Sequence, residues 1–325
     1  MKCPGCFKEG TDQYCVNCRK RLFDGSKIAP VLPFDRPTDN NLVMYQAKTK
    51  RLSISGVQLK YSLMRQDGKL ILTDKNGQYI LKPVPTGQLS LPDQAPANEH
   101  LTMQIARQVF KLPTAENALI RFADGSPAYI TRRFDVQPGK GLKYQQEDFA
   151  QLTGRTKKTH GEDFKYNGTY EEIGLLIQKY VAAALPAVEG FFRIVVFNYL
   201  FCNGDAHLKN FSVMRTVYGD YGLTPAYDLL CTLLHSELES DTALDLYKGA
   251  MDDEGYNRYG LYTRSHFEEL AKRMGILPKR CERIINGLLG KTEEVKSMIA
   301  VSFLSEDVKE KYSKLYQERV KRFYI

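Results

Sequence analysis

The chain has 325 residues, 43% hydrophobic and 26% charged, with a formal net charge of +8. That composition excludes wholesale disorder and the fibrous classes, and the length allows two lobes or one large domain with an appendage. The longest apolar runs are broken by Arg193 and Asn198, or by Lys179 and Glu189, short of the ~20 residues a membrane span needs. The opening "MKCPGCFKEG" has no apolar signal region, so a cytoplasmic protein without a membrane partner is expected. Basic residues lie in scattered patches, such as "KTKR" from Lys48 and "RTKK" from Arg155, so the charge alone does not separate nucleic acid from acidic or phosphorylated partners.

Four of the seven cysteines lie in the first eighteen residues as Cys3-x2-Cys6 and Cys15-x2-Cys18. Two such knuckles present four thiolates from two tight turns, which reads as a closed, structural zinc site. The interval between the pairs is too short for a helix, so a small knuckle that depends on its metal is expected. Cys202, Cys231 and Cys281 sit beside apolar residues and read as core.

"IAPVLPFDRPTDNN" then reads as a linker or strap. From Val57 to Val84, β-rich runs separated by Asp67-Gly68 and Asn76-Gly77 predict a three-stranded antiparallel meander. Leu101, Ile105 and Val109 have helical spacing, and "ENALIRF" with "PAYITRRFD" around Asp124-Gly125 predicts a further hairpin. From Glu147 the pattern is helical. Two strongly apolar helices, "EEIGLLIQKYVAAAL" and "AVEGFFRIVVFNYLF", are expected with a break at Pro186. "SHFEELAKRMG" predicts a helix with a capping box from Ser265 to Glu268 and a stop at Gly275, and a docked amphipathic helix carrying Val308, Tyr312, Leu315, Tyr316, Val320 and Phe323 closes the chain.

The chemistry concentrates in "NGDAHLKN", at the exit of the second apolar helix, where Asp205 stands five residues before Asn210. Protein kinases use this spacing for a catalytic base and a magnesium ligand; alone it is a weak signal, and a solvated loop explains it as well. Asp228 in "GLTPAYDLL", after a short hairpin-like stretch, supplies the second carboxylate such a site requires. Lys82 on the strand "QYILKPV" is the candidate phosphate lysine and Glu99 its candidate partner, although a strand Lys is ordinarily solvated and a first-turn Glu ordinarily complements a helix dipole. Ser53, Ser55 and Gly56 in "RLSISGVQLK" form a candidate phosphate-contacting turn with a single glycine.

In order, "SISGVQLK", "YILKP", "NEH", "RRFD", "QEDFAQLTG", "NGDAHLKNFS" and "TPAYDLL" resemble the HipA family of bacterial serine/threonine kinases, the toxins of toxin–antitoxin pairs. The resemblance implies an α+β, two-lobed protein-kinase-like fold with a small β-rich lobe and a large helical lobe, here carrying an N-terminal zinc knuckle. It implies Asp205 as catalytic base, Asn210 and Asp228 as Mg2+ ligands, and Lys82, Glu99 and Lys209 at the ATP phosphates. It further implies Arg133, Phe134 and Asp135 as a hinge near adenine and ribose, and Ser53 or Ser55 as an autophosphorylated regulatory serine. His207 is expected to make a structural hydrogen bond. The front of the chain is too short for the extra β-rich subdomain of long members, which places it with the short, HipT-like branch; there the missing piece is a separate small protein that helps neutralise the kinase. The zinc knuckle is a departure from the long members' pattern.

The expected division is a four-cysteine zinc knuckle and linker over 1–30, a small ATP-binding lobe over 31–135 and a helical catalytic lobe over 136–325. The leading reading is an ATP- and Mg2+-dependent serine/threonine protein kinase that also carries a structural Zn2+. By resemblance its target class is an aminoacyl-tRNA synthetase, its partner is a HipB-like DNA-binding antitoxin, and contact with DNA is only indirect. A small-molecule kinase on the same scaffold is the second reading, kept open by the acids of "DTALDLYKGAMDDEG". A catalytically silent nucleotide-binding adaptor with a zinc module is the third.

Overall fold

A computed structural model describes residues 1–39, 41, 45, 59–137 and 142–325. The fold is mixed α+β and forms two compact units. The first comprises Met1–Gln104, Ala115–Lys143 and Ala300–Ser305; the second comprises Ile105–Thr114, Tyr144–Ile299 and Glu306–Ile325. No helix among the described residues is long and apolar enough to cross a membrane.

In the first unit, the interval between the two cysteine pairs holds no helix, but the second pair opens one: α1, Val16–Phe23, starts directly after Cys15 and contains Cys18. Five strands form one antiparallel sheet: β1 (Tyr61–Gln66), β2 (Lys69–Leu72), β3 (Tyr79–Pro83), β4 (Asn117–Arg121) and β5 (Pro127–Arg132), in the order β2-β1-β3-β5-β4. The β1–β2 turn is as the dipeptide demands, with Asp67 at φ 50° and Gly68 at φ 72°. The expected meander is not what forms beyond it. Leu63 of β1 pairs with Leu72 of β2 on one side and Tyr79 of β3 on the other, so β1 is central and the Asn76-Gly77 stretch crosses it instead of turning a hairpin. Gly77 is required there, because a Cβ would lie 1.8 Å from Ser62 Oγ.

Helix α2 (Ala95–Gln104) is buried along its whole length and runs into a π turn at Ile105–Val109. Cys3, Tyr14, Cys18, Leu22 and Phe23 share one hydrophobic core with Leu63, Tyr79, Leu81, Ile120 and Ile130 of the sheet.

The second unit contains a three-stranded sheet, β6-β7-β8, of which β6 (Gln146–Asp148) was not foreseen and β7 (Ser212–Arg215) with β8 (Tyr221–Leu223) is the expected hairpin. Its helices are α3 (Phe149–Leu152), α4 (Lys157–His160), α5 (Tyr170–Tyr180), α6 (Ala184–Leu200), α7 (Glu254–Tyr259), α8 (Arg264–Arg273), α9 (Pro278–Leu289), α10 (Thr292–Val301, whose last two residues belong to the first unit) and α11 (Glu306–Lys321). Pro186 lies within the first turn of α6, where its missing N–H costs nothing; the break between α5 and α6 comes earlier, at residues 181–183. The α8 capping box is closed by Thr263 and His266, two residues before the expected Ser265 and Glu268, because His266 Nδ1 accepts the Thr263 N–H at 3.0 Å. Cys202, Cys231 and Cys281 are buried.

Candidate active site

In the first unit, β3 carries Lys82 and α2 carries Glu99, and their side chains, only 4% and 2% exposed, form an ion pair of 2.6 Å. Burying both charges is costly unless they meet at hydrogen-bond distance, so this geometry holds the ammonium at one defined point of the sheet. Lys82 Nζ also lies 5.4 Å from the centre of the Tyr129 ring on β5. Arg133 clamps Asp135 with both guanidinium arms, at 3.0 and 2.6 Å, while Lys143 stands 3.8 Å from the same carboxylate and Phe134 is half-buried beside them. Ser53, Ser55 and Gly56 lie outside the described residues.

Also in the first unit, the Sγ atoms of Cys3, Cys6, Cys15 and Cys18 all lie within 4.8 Å of one another. Cys6 and Cys15 are 3.7 Å apart. A tetrahedron with Zn–S bonds of ~2.3 Å has an edge of about 3.8 Å, so this spacing suits zinc. The main-chain N–H groups of Gly5 and Cys15 point at Cys3 Sγ, at 3.5 and 3.2 Å, and Arg21 donates to Cys18 Sγ at 3.4 Å.

In the second unit, the buried helix α6 ends at Phe201, and Cys202 turns the chain with φ 53°. Thr232 pins the loop that follows: its N–H and hydroxyl donate to Cys202 O, both at 3.0 Å, while its hydroxyl oxygen accepts the Gly204 N–H at 2.8 Å. The Asn203 amide donates to Asn198 Oδ1 at 2.9 Å and to the Asp228 carbonyl at 3.3 Å, tying the Asp205 loop to the Asp228 loop. Asp228 itself adopts φ 56°, a strained conformation for a non-glycine residue.

A crevice of about 10 Å³, space for one water-sized sphere, is lined by Asn203, Asn210 and Asp228 among others. Asn203 Oδ1 is buried without a hydrogen-bond partner among the described residues. Asn210 Oδ1 accepts the His207 main-chain N–H at 3.1 Å. The donors are oxygens, one carboxylate and two amides, the set a small hard cation takes.

Asp205 is 42% exposed at the surface of this loop. The His207 main-chain N–H donates to Asn210 Oδ1, and burial pushes the ring pKa down to about 4, so the imidazole is neutral near pH 7. Lys209 turns to Asp148, at 2.6 Å. Three side chains around Asp205 were invisible in the sequence. Tyr166 donates to Asp205 Oδ1 at 2.5 Å, Lys165 Nζ lies 3.9 Å from the same oxygen, and the Glu239 carboxyl is pushed above its ordinary range by burial and by the charge of Asp205. No local pattern marks them, since they come from a short turn some forty residues earlier and from a loop on the other side.

Of the acids of "DTALDLYKGAMDDEG", Asp252 and Asp253 line one pocket together with Glu269, His266 and Arg273, whereas Asp241, Asp245 and Glu254 are not among its lining residues. Asp241 binds Arg319 at 2.7 Å, the Asp245 main chain bonds Tyr170, and Asp253 caps α7 through Gly255.

The sequence matches the HipA-like C-terminal domain over residues 52–296. It is 28% identical to a Haemophilus influenzae protein named "Putative kinase", across 96% of this chain and 93% of the relative. It is 32% identical to "Putative kinase Y4dM" of Sinorhizobium fredii, over 65% of this chain and 53% of that protein. Among solved structures, HipA in the Shewanella oneidensis toxin–antitoxin complex of HipA, HipB and operator DNA has a TM-score of 0.63, at 22% identity over 90% of this chain and 73% of that one. The Helicobacter pylori proinflammatory kinase CtkA has a TM-score of 0.51, at 14% identity over 84% of this chain and 94% of that one. The shared fold is therefore kinase-like, and the chain belongs to the HipA-like C-terminal domain family.

Proposed function

We propose that this protein is an ATP- and magnesium-dependent serine/threonine protein kinase that serves as the toxin of a toxin–antitoxin pair. The observation that carries the reading is the crevice lined by Asn203, Asn210 and Asp228, a few residues from an exposed carboxylate, Asp205, on the same loop. Those oxygens fit Mg2+, which would neutralise phosphate charge on a bound nucleotide.

Asp205 accepts the proton of a serine or threonine hydroxyl as that oxygen bonds to the γ-phosphorus and the bond to the ADP oxygen breaks. Lys82, fixed by Glu99, and Arg133 with Asp135 are assigned to ATP by the family resemblance. Lys209 orders the loop through Asp148, and its expected phosphate contact requires that pair to open. Most of the acceleration comes from positioning and charge stabilisation.

The finer parts of the reading rest on the family. They are an aminoacyl-tRNA synthetase as target, autophosphorylation at Ser53 or Ser55, a HipB-like antitoxin through which DNA is met, and a separate small protein in place of the long members' extra subdomain. The name of the Shewanella complex supports the antitoxin partner. The four-cysteine cluster is assigned to zinc on its spacing and its amide donors.

Intact mass and peptide mapping after incubating dephosphorylated protein with magnesium and ATP test the reading, beside an Asp228→Asn control. One phosphate gained on Ser53 or Ser55 by the wild type alone is the expected result. Absence of ATP binding by calorimetry would sink it.

A further inference from the structure

The family's chemistry does not account for the cysteine module, and the structure connects it to the residue that holds Lys82. We infer that the metal-bound module is a brace for α2: it seats Phe7 against His100 and thereby sets Glu99, the preceding residue on that helix, in its pair with Lys82. The inference rests on the zinc assignment and not on the kinase reading.

Phe7 follows the first cysteine pair directly and sits at φ 65°, a conformation bulky residues avoid. What it gains there is burial. Its ring lies edge-on to His100 at 4.8 Å between centroids and 5.6 Å from Phe303, and both Phe7 and His100 are buried. The Phe7 N–H bonds the Cys3 carbonyl at 3.0 Å, so the strained turn belongs to the knuckle itself. Gly5 shows how tight that knuckle is, since a Cβ there would lie 2.7 Å from Cys18 Sγ. Without a metal to draw the four sulfurs together, the turn that aims Phe7 is left to its main-chain hydrogen bonds.

The same segment covers the sheet's edge. The Leu119 N–H donates to Pro4 O at 2.9 Å and the Tyr14 hydroxyl to Leu119 O at 2.7 Å, on β4, the edge strand. Arg21 pairs with Glu116 at 3.2 Å just before that strand. The module is therefore bonded to one flank of the sheet and packed on the helix that carries Glu99. These contacts are local to the first unit, so loss of the metal should loosen α2 and β4 and leave the second unit's helices as they were.

The test is hydrogen exchange by mass spectrometry on the full chain, purified with zinc and then stripped by a thiol reagent plus chelator, with metal content measured in parallel. The expected result is one zinc per chain, and on stripping an exchange rate at least tenfold higher in residues 95–104 and 117–121, with 184–200 unchanged. Phe7→Ala, which keeps all four cysteines, should retain its zinc and still show the faster exchange in 95–104. Because stripping can unfold the whole chain, this variant decides the matter: retained zinc with unchanged exchange in α2 overturns the brace. So does a chain that binds no zinc when refolded with it. ATP affinity, read by calorimetry, should fall several-fold in Phe7→Ala; a fall in affinity without faster exchange in α2 also overturns the brace while leaving the kinase reading intact.

Discussion

The phenolic oxygen of Tyr166 lies 2.5 Å from Oδ1 of Asp205, a distance at which a hydroxyl donates a short hydrogen bond to a carboxylate. Burial, and then this bond to Asp205, raises the tyrosine's pKa, so the proton stays on the phenol. Under the proposed function, with Asp205 as the base, Tyr166 stands in the place of the acceptor hydroxyl and a substrate must displace it. Tyr166→Phe should raise acceptor turnover, and hydrolysis of ATP by water, by about tenfold or more, since a hydrogen bond to a charged group contributes about 1.5 kcal/mol or more. Steady-state kinetics check this. A lower kcat with an unchanged KM would instead make Tyr166 a positioning residue for Asp205.

Lys82 and Glu99 predict an asymmetry between single and double substitutions. Lys82→Ala removes the ammonium that meets the buried Glu99 carboxylate and should cost about 3–5 kcal/mol. Replacing both, as Lys82→Met with Glu99→Leu, should restore most of the thermal stability. Neither protein should bind ATP with wild-type affinity. Melting curves beside calorimetry separate the two effects, and a double variant as unstable as the single one would contradict the argument.

Gly204→Ala addresses the loop that presents Asp205. A Cβ at this position would lie 2.3 Å from the Ser240 main-chain oxygen and 2.5 Å from Glu239 Cγ. Backbone does not swing aside as a side chain does, so the loop must shift, at a cost of about 1–3 kcal/mol. A fall in kcat of tenfold or more is expected, because small misplacements of reacting groups are expensive. Wild-type kcat in a folded Gly204→Ala protein would refute it.

His266 makes stability depend on pH. Burial lowers its pKa, against the opposing pull of Asp253, and its neutral Nδ1 accepts the N–H that opens α8. The unfolded chain therefore binds a proton more readily than the native one. The contribution is complete above the unfolded value of about 6.5 and is lost as pH falls through the lowered native value. Melting temperature should drop between pH 7 and 5, and less steeply in His266→Gln, whose amide oxygen can cap without titrating. Equal slopes for the two proteins would rule His266 out as the sensor.

Much of this molecule is written in short stretches of chain. The cysteine pairs set their own turns, Asp67-Gly68 sets its hairpin, and Asp205 to Asn210 spans a single loop, so neighbours in sequence met as neighbours in space. The alternation of β-rich residues marked strands but carried no information on which edge each would choose. Leu63 pairs with Leu72 and with Tyr79, and that choice followed from where Gly77 could pass over Ser62.

The sequence by itself determined the residue types and spacings from which metal sites, a base and a buried ion pair can be built, because those depend on local geometry. Only the tertiary structure decided that Tyr166 and Lys165 would crowd Asp205, that Phe7 would seat on His100, and that Arg319, on an otherwise apolar stripe of α11, would be buried against Asp241. Each of these joins segments far apart in the chain, and the free energy that selects such a contact comes from burial and charge pairing in the assembled core, which no single stretch of sequence contains.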